Sequence, residues 1–349
     1  MNKLQRRDFI KASLFGGIAA ATIPMHVMDA WAEQTKVILD TNSRVSLVTG
    51  SDRADMAFRA LQPFSKEIAQ AVGNRRIILK PNMVELTIPL CATHKDSIEG
   101  ILEFYKSINK LSNVVIAESS AGGHAMIGYD NYGYIPVAEK YKVELLDLDD
   151  YPSQILYVID EKVFQPKPVR MSSLLVDRNN YVMSVARMKT HQFVIATLTL
   201  KNLVFGAPVK DRGYKRGTNA KSDKAIVHGN GQKGGNYNLF SMAYYIRPDL
   251  GFVDGYEGME GNGPTQGTPV DHKVCIAGLD WLSVERVGIE LMGLNPEDLG
   301  YMIYCADAGM GQFDLSKIEI VGEKLADHIK SYKLPPNYNQ LLRWKAPVS

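Results

Sequence analysis

Short apolar runs rich in branched residues alternate along this chain with longer stretches whose apolar positions recur every three or four residues. Residues 44–48, 76–79, 114–117 and 143–148 read as strands, and so do 181–186, 251–253, 274–277 and 318–321. Between them, residues 55–72 place Phe58, Leu61, Phe64, Ile68 and Val72 on one helical face and stop at Gly73. Pro63 inside that run predicts a kink or a later helix start, because its ring cannot continue the hydrogen-bond ladder. Residues 97–108, 135–141, 281–292 and 296–308 read as further helices. Such alternation predicts an α/β fold: a mostly parallel central sheet with helices on both faces. Two segments break the rhythm. Residues 150–185, with Pro152, Pro166 and Pro168, predict a small irregular or antiparallel excursion, and residues 210–236 are Gly-rich and basic without periodicity.

Composition narrows the class. A chain of 349 residues, 45% hydrophobic and 22% charged, can bury a real core and is neither a disordered chain, a collagen-like fibre nor a disulfide-stapled miniprotein. The net charge of +2 is informative once divided. Residues 1–32 carry Lys3, Arg6, Arg7 and Lys11 against Asp8 and Asp29, so the rest of the chain is neutral. Neutrality argues against nucleic acid as a partner, since that binding relies on a basic surface.

The first residues read as an address. Gln5-Arg6-Arg7-Asp8-Phe9-Ile10-Lys11 has the twin-arginine pattern, followed by a mildly apolar stretch (residues 12–23) and by Ala30-Trp31-Ala32, a small-x-small cleavage site. That run is shorter than the ~20 residues needed to span a bilayer, and no cysteine marks the cleavage point for a lipid. The expectation is therefore a signal over residues 1–32 and one α/β domain over 33–349. The twin-arginine export machinery would carry it to the periplasm or beyond, with no stable membrane anchor. Cys91, Cys275 and Cys305 are too dispersed for a CxxC pair or a four-cysteine set, so no intrinsic iron–sulfur cluster is expected. Buried small hydrophobes, with room for one disulfide, is the simpler reading.

In Rossmann-like open sheets, ligands sit beyond the carboxyl ends of the strands. Four predicted strands run into polar residues there: Lys80-Pro81-Asn82; Glu118-Ser119-Ser120 with Gly122-Gly123-His124; Arg187-Met188-Lys189-Thr190-His191; and Asp254-Gly255 leading to Glu260-Gly261-Asn262-Gly263-Pro264. Any one of these suits a helix cap or a surface ion pair. Their convergence on one edge marks a candidate site. Lys80, Lys189 and Lys201 suit a carboxylate or phosphate, and a buried lysine can instead act as a base or Schiff-base former. Glu118, Asp254 and Glu260 suit acid–base work or a divalent metal; His124, His191 and His228 suit proton transfer or a transition metal. Asn82, Asn202 and Asn262 suit orienting a carbonyl, with Asn82 and Asn262 equally at home in turns. Neither a Walker A loop nor a GxSxG elbow is present.

These blocks, together with Leu200-Lys201-Asn202-Leu203, Gly206, His228, Gly267 and the segment from Asp280-Trp281 to Met292-Gly293, occur in the order seen in the domain of unknown function 362 family, which the chain resembles over roughly residues 45–323. An acidic residue is common in that family where this chain has Glu285. Some relatives carry a ferredoxin-like cysteine cluster; this chain lacks those cysteines, so an electron-transfer role does not carry over.

The 210–236 stretch has seven basic residues against Asp211 and Asp223, a net +5. It reads as a lid bringing Arg212 and His228 over an anion, or as a solvated loop. The leading expectation is an exported enzyme acting on a small anionic molecule, with Glu118, Lys189, His191, Asp254 and Glu260 as chemical groups. Lys80, Asn82, Lys201, Asn202, Arg212 and His228 would bind the substrate. A non-catalytic binding protein for the same anion and a redox or cofactor-assembly accessory are the competing readings.

Overall fold

The computed structural model describes residues 41–215 and 217–346. The expected export signal lies outside the described residues. In chain order the main elements are β1 (Ser43–Thr49), α1 (Arg53–Leu61), α2 (Ser65–Val72), β2 (Ile77–Pro81), α3 (Lys95–Ser107), β3 (Val114–Glu118), α4 (Ala125–Asn131), α5 (Tyr134–Tyr141) and β4 (Glu144–Asp147). There follow β5 (Ser153–Asp160), β6 (Gln165–Ser172), β7 (Tyr181–His191), β8 (Ile195–Thr197), α6 (Thr199–Val204), α7 (Gln232–Met242), β9 (Leu250–Glu260), β10 (Thr268–Gly278), α8 (Trp281–Leu291), α9 (Gly300–Asp307) and β11 (Ile318–Gly322).

Nine strands form one sheet in the order β11-β1-β10-β9-β7-β2-β3-β4, with β8 paired antiparallel to β7. From β9 to β4 every neighbouring pair is parallel; β10 is antiparallel to both β1 and β9. The expected parallel sheet is there, with an antiparallel insertion toward one edge. Period-two alternation decides which helices cover which face. Ile78, Val115, Val182 and Val253 pack among α6 to α9, whereas Ile77, Leu79, Ile116, Met183 and Phe252 pack among α1 to α5. Both faces are thereby buried, as a parallel block requires.

Local chemistry explains several boundaries. Asp52 caps α1 by accepting from the Ala54 and Asp55 amides at 2.9 and 3.0 Å. Pro63 sits in a tight turn that splits the 55–72 periodicity into α1 and α2. Where α1 crosses α3, a Cβ at Gly100 would lie 2.0 Å from the Ala54 carbonyl oxygen, so only glycine permits that approach. Residues 150–185 contain the β5–β6 hairpin, the antiparallel excursion expected there. Strands β7 and β9 are longer than their apolar runs: each continues for eleven residues, because both flanks are paired and polar side chains there find partners inside the fold. All three cysteines are buried and free, so the simple packing reading holds without a disulfide. Among the described residues, no helix is long and apolar enough to cross a membrane.

Candidate functional site

Because β7, β2 and β3 are parallel neighbours, their carboxyl ends open on the same edge of the sheet. A cavity of about 400 Å³ lies there. Its wall includes Lys80 from β2 and Asn82 just after it, Glu118 from β3, His191 from β7, Lys201 and Asn202 from α6, and His228 from the 210–236 segment. Seven residues expected at the site from sequence therefore meet in one place.

The polar floor is a connected network. The Lys80 ammonium donates to both Glu118 carboxylate oxygens at 2.8 Å, to the Pro81 carbonyl at 2.8 Å and to Asn202 Oδ1 at 3.2 Å. The Ser119 amide donates to Glu118 Oε1 at 2.8 Å. Asn202 is saturated: its Oδ1 also accepts from Asn82 Nδ2 at 3.0 Å, and its Nδ2 donates to the Lys80 carbonyl and to Ser184 Oγ, both at 3.1 Å. Asn82 in turn accepts from the Lys189 ammonium, which also donates to the Cys91 carbonyl at 3.0 Å. Asn82 and Asn202 thus act as rigid spacers that fix where two lysines sit. Gly206 is a condition of this packing. A Cβ there would fall 2.4 Å from both the Asn202 carbonyl oxygen and Lys80 Cε. Gly206→Ala is expected to destabilise the fold by about 1–3 kcal/mol through overpacking, read as a shifted midpoint in urea unfolding.

Cations crowd the cavity. Lys80, Lys201 and Lys224 line it, with Lys189 directly behind Asn82, against the single lining carboxylate Glu118. Burial opposes charge on each. It lowers the pKa of Lys80 despite the Glu118 partner, brings Lys189 and Lys224 down to about 7, and holds Lys201 well below the normal lysine range. The Lys189 and Lys80 charges push Lys201 in the same direction. The Lys224 ammonium donates to the Gly206 carbonyl at 3.0 Å and has no other hydrogen-bond partner among the described residues. Lys201 has no hydrogen-bond or ion-pair partner among the described residues; its nitrogen sits 4.8 Å from the Phe205 ring centroid.

The two histidines hold opposite tautomers. His191 Nδ1 accepts from the Phe193 amide at 3.0 Å, which puts the neutral ring's proton on Nε2. His228 Nδ1 faces the Lys224 carbonyl at 3.1 Å and must donate, leaving Nε2 as an acceptor. Burial lowers both pKa values, that of His228 to about 4, so both rings are neutral at pH 7. Phe193, Phe205 and His228 pack together with ring centroids 4.5–6.0 Å apart, forming an aromatic wall whose Phe205 ring lies against the Lys201 nitrogen.

Helix α6 is held from beneath by Glu285 of α8, whose Oε1 accepts from the Leu200 amide at 2.6 Å and from Thr199 Oγ1 at 3.0 Å. Burial raises the Glu285 pKa to about 7. The folded chain therefore keeps a proton that the unfolded chain gives up near pH 4.5. This stabilising contribution is complete below about pH 4.5 and is lost as pH rises to about 7. Its slope reaches about 1.4 kcal/mol per pH unit. Urea titrations at stepped pH should show this decline in the wild type, and a flatter profile in Glu285→Gln.

Four residues expected at the site sit elsewhere or only beside it. Lys189 is behind the wall, acting through Asn82. Asp254 lies within β9 on the face covered by α1 and α3, accepting from Ser97 Oγ at 3.0 Å and the Tyr256 amide at 3.1 Å, with Arg53 Nε 3.6 Å away. Glu260 accepts from the Lys333 amide at 2.9 Å and pairs with its ammonium at 3.1 Å, tying down the C-terminal segment. Arg212 is 86% exposed beside Asp150 at 3.5 Å, outside the cavity wall. His124 is also set apart, bridging Asp147 and Asp150. Glu118, Asp254 and Glu260, which suit either acid–base work or a divalent metal, thus have separate partners, and no group of three or more His, Cys, Asp or Glu suited to a metal occurs among the described residues.

Sequence reading missed Lys224 and Lys210 as site residues, because lysines in a charged run are usually solvated. Here both are buried. Lys210 pairs with Asp149 and donates to Ser119 Oγ at 2.9 Å, pinning the 210–236 segment beside Glu118. The one signal was spacing: Lys224 precedes His228 by four residues, one helical turn.

Comparison with known proteins identifies the family. A family model described as Domain of unknown function (DUF362) matches residues 77–290, from the first residue of β2 to within α8, and takes in every residue of the cavity wall. The chain belongs to this family. It is also 25% identical over 229 residues to the thylakoid-associated protein sll1697 of Synechocystis sp., a match covering 65% of this chain and 66% of that protein's length.

Proposed function

We propose that this chain is an exported enzyme that acts on a small anionic molecule, a carboxylate or phosphate, in the cavity at the carboxyl ends of β2, β3 and β7. One observation carries the reading: among the described residues, three lysines line a buried space that supplies a single carboxylate. Burial disfavours the charged forms of these lysines, and an anion entering the cavity would favour them again. Lys80 is committed to Glu118, which leaves Lys224 as the anchor for the anionic group and Lys201 beside the reacting centre. His191, a donor at Nε2, and His228, an acceptor at Nε2, are suited to giving and taking protons. The Lys80–Glu118 pair and the two asparagines hold this set in register.

Export is supported by the twin-arginine pattern at residues 5–11. A relative named as thylakoid-associated is consistent with work at a membrane or beyond it. The binding-protein reading uses the same anion and differs in the fate of the ligand.

To test the proposal, the protein is purified after export and the small molecules it releases on denaturation are identified by mass spectrometry, with Lys224→Ala alongside. A small acid released by the wild type and depleted in the variant is the expected result. Equal content of the same acid in both proteins, or release of neutral compounds alone, would remove the cavity as the anion site. Incubation of the recovered acid with fresh protein then separates the two readings: conversion marks an enzyme, and recovery unchanged marks a binding protein.

A further inference from the structure

We propose that Lys201 is a Schiff-base nucleophile, and that the substrate is a carbonyl-bearing carboxylate with an apolar substituent, of the 2-oxo acid class. This deepens the anion reading above and rests on it.

The argument starts from what the cavity leaves uncommitted. Lys80 donates to four acceptor atoms, Lys189 to two and Lys224 to a backbone carbonyl. Lys201 alone of the four has no hydrogen-bond or ion-pair partner among the described residues, yet it is 6% exposed and lines the cavity. A buried ammonium with neither counterion nor acceptor is unstable, whereas a neutral amine tolerates such a place. The cations next to it, Lys80 and Lys189, disfavour its charged form further, an arrangement that activates amines toward carbonyl carbon.

The remaining wall specifies the rest of the ligand. Lys224 offers N–H groups that are free among the described residues for a carboxylate, and Phe193 and Phe205 offer apolar ring surface beside Lys201. A 2-oxo acid presents its carboxylate and its carbonyl on adjacent carbons, with the substituent pointing away from both. Carboxylate on Lys224, carbonyl at Lys201 and substituent against the phenyl rings accounts for each wall. A phosphate would use the lysines and leave the aromatic wall without a purpose.

The chemistry balances without an added reagent. The Lys201 nitrogen lone pair forms a C–N bond to the carbonyl carbon while the C=O π pair moves to oxygen. Oxygen gains a proton and nitrogen loses one, giving a neutral carbinolamine. The C–O bond then breaks, the oxygen leaving as water with a second proton, and the nitrogen lone pair forms the C=N bond of an iminium ion. Overall, amine, carbonyl compound and one proton give iminium and water. His191 Nε2–H is the donor available to the oxygen, and His228 Nε2 the acceptor available to the nitrogen.

The test traps the iminium. The full chain is incubated with phenylpyruvate or pyruvate and sodium cyanoborohydride near pH 7, and the reduced adduct is counted by intact mass and located by peptide mapping. The expected result is one adduct per chain, on Lys201, forming at least about tenfold faster with phenylpyruvate than with pyruvate because of the aromatic wall. Lys201→Arg and Lys201→Met, each checked for a wild-type circular dichroism spectrum and melting curve, should give no adduct. Lys215→Arg, an exposed control, should label normally. Phenylpyruvate that binds and is displaced by phosphate, but is never trapped on Lys201, overturns the Schiff-base assignment and leaves the anion site standing. Labelling scattered over surface lysines, or unchanged in both Lys201 variants, overturns the assignment as well. Absence of both trapping and binding for either acid overturns it together with the substrate class.

Discussion

Glu118→Ala should lower the stability of the fold by about 3–5 kcal/mol, the largest effect expected of any single substitution at the site. Glu118 and Lys80 are each 1% exposed, and the carboxylate is the only charged partner of that ammonium among the described residues. Removing it leaves a cation in a space where solvent cannot compensate it. The size of the effect reflects the unpaired charge, so removing both partners should cost far less. In equilibrium urea unfolding, Lys80→Met combined with Glu118→Leu should recover most of the loss, because buried ion pairs are often matched in stability by apolar residues of similar volume. Should Glu118→Ala unfold within about 1 kcal/mol of wild type, the pair would have to be solvated, and the buried network described above would be wrong.

Lys224→Ala should weaken binding of a carboxylate or phosphate by at least about 30-fold, since a buried charge contact is worth about 2 kcal/mol or more. Its pH dependence follows from the group itself. Burial, aided by the Lys210 charge, brings the Lys224 pKa down to about 7, so the ammonium is fully formed only below that pH. An anion that needs the ammonium must bring a proton with it above pH 7, and affinity should fall by up to tenfold per pH unit there. In Lys224→Ala the residual binding should lose this slope. Calorimetric titrations between pH 6 and 9 would read both effects. A steep slope that survives in the variant would assign the titration to Lys189 instead, whose pKa burial also lowers to about 7.

Much of this site was legible in the sequence, for a reason that can be traced. The parallel arrangement of β2, β3 and β7 follows from alternating apolar runs, and it carries Lys80, Glu118 and His191 to one edge whatever the details of packing. Lys201 and Asn202 follow because a short connection after β8 leads straight into α6. Asp254 and Glu260 were misplaced by the same logic. The apolar run ends at Val253, but the strand does not: β9 continues to Glu260, so Asp254 is an interior position. Its neighbour Phe252 belongs to the core beneath α1 and α3, and strand alternation puts Asp254 on that face. Arg212 was misplaced because a charged run does not reveal which members turn inward. Within residues 210–236 it is Lys210, Lys224 and His228 that face the cavity network, and only tertiary contacts select them. Phe193 and Phe205 carried no signal at all, since aromatic residues near a strand end are ordinarily core.

The central claim is that this cavity recognises negative charge through Lys224 and its neighbours. It is tested most directly by isothermal titration of the purified full chain with a set of small carboxylates and phosphates, each beside its neutral amide or ester, at pH 6.5 and again in Lys224→Ala. At least one anion should bind at least about tenfold more tightly than its neutral counterpart, and that preference should vanish in the variant. Equal affinity for charged and neutral members, no binding by any of them, or a preference for anions that persists in Lys224→Ala would contradict the claim.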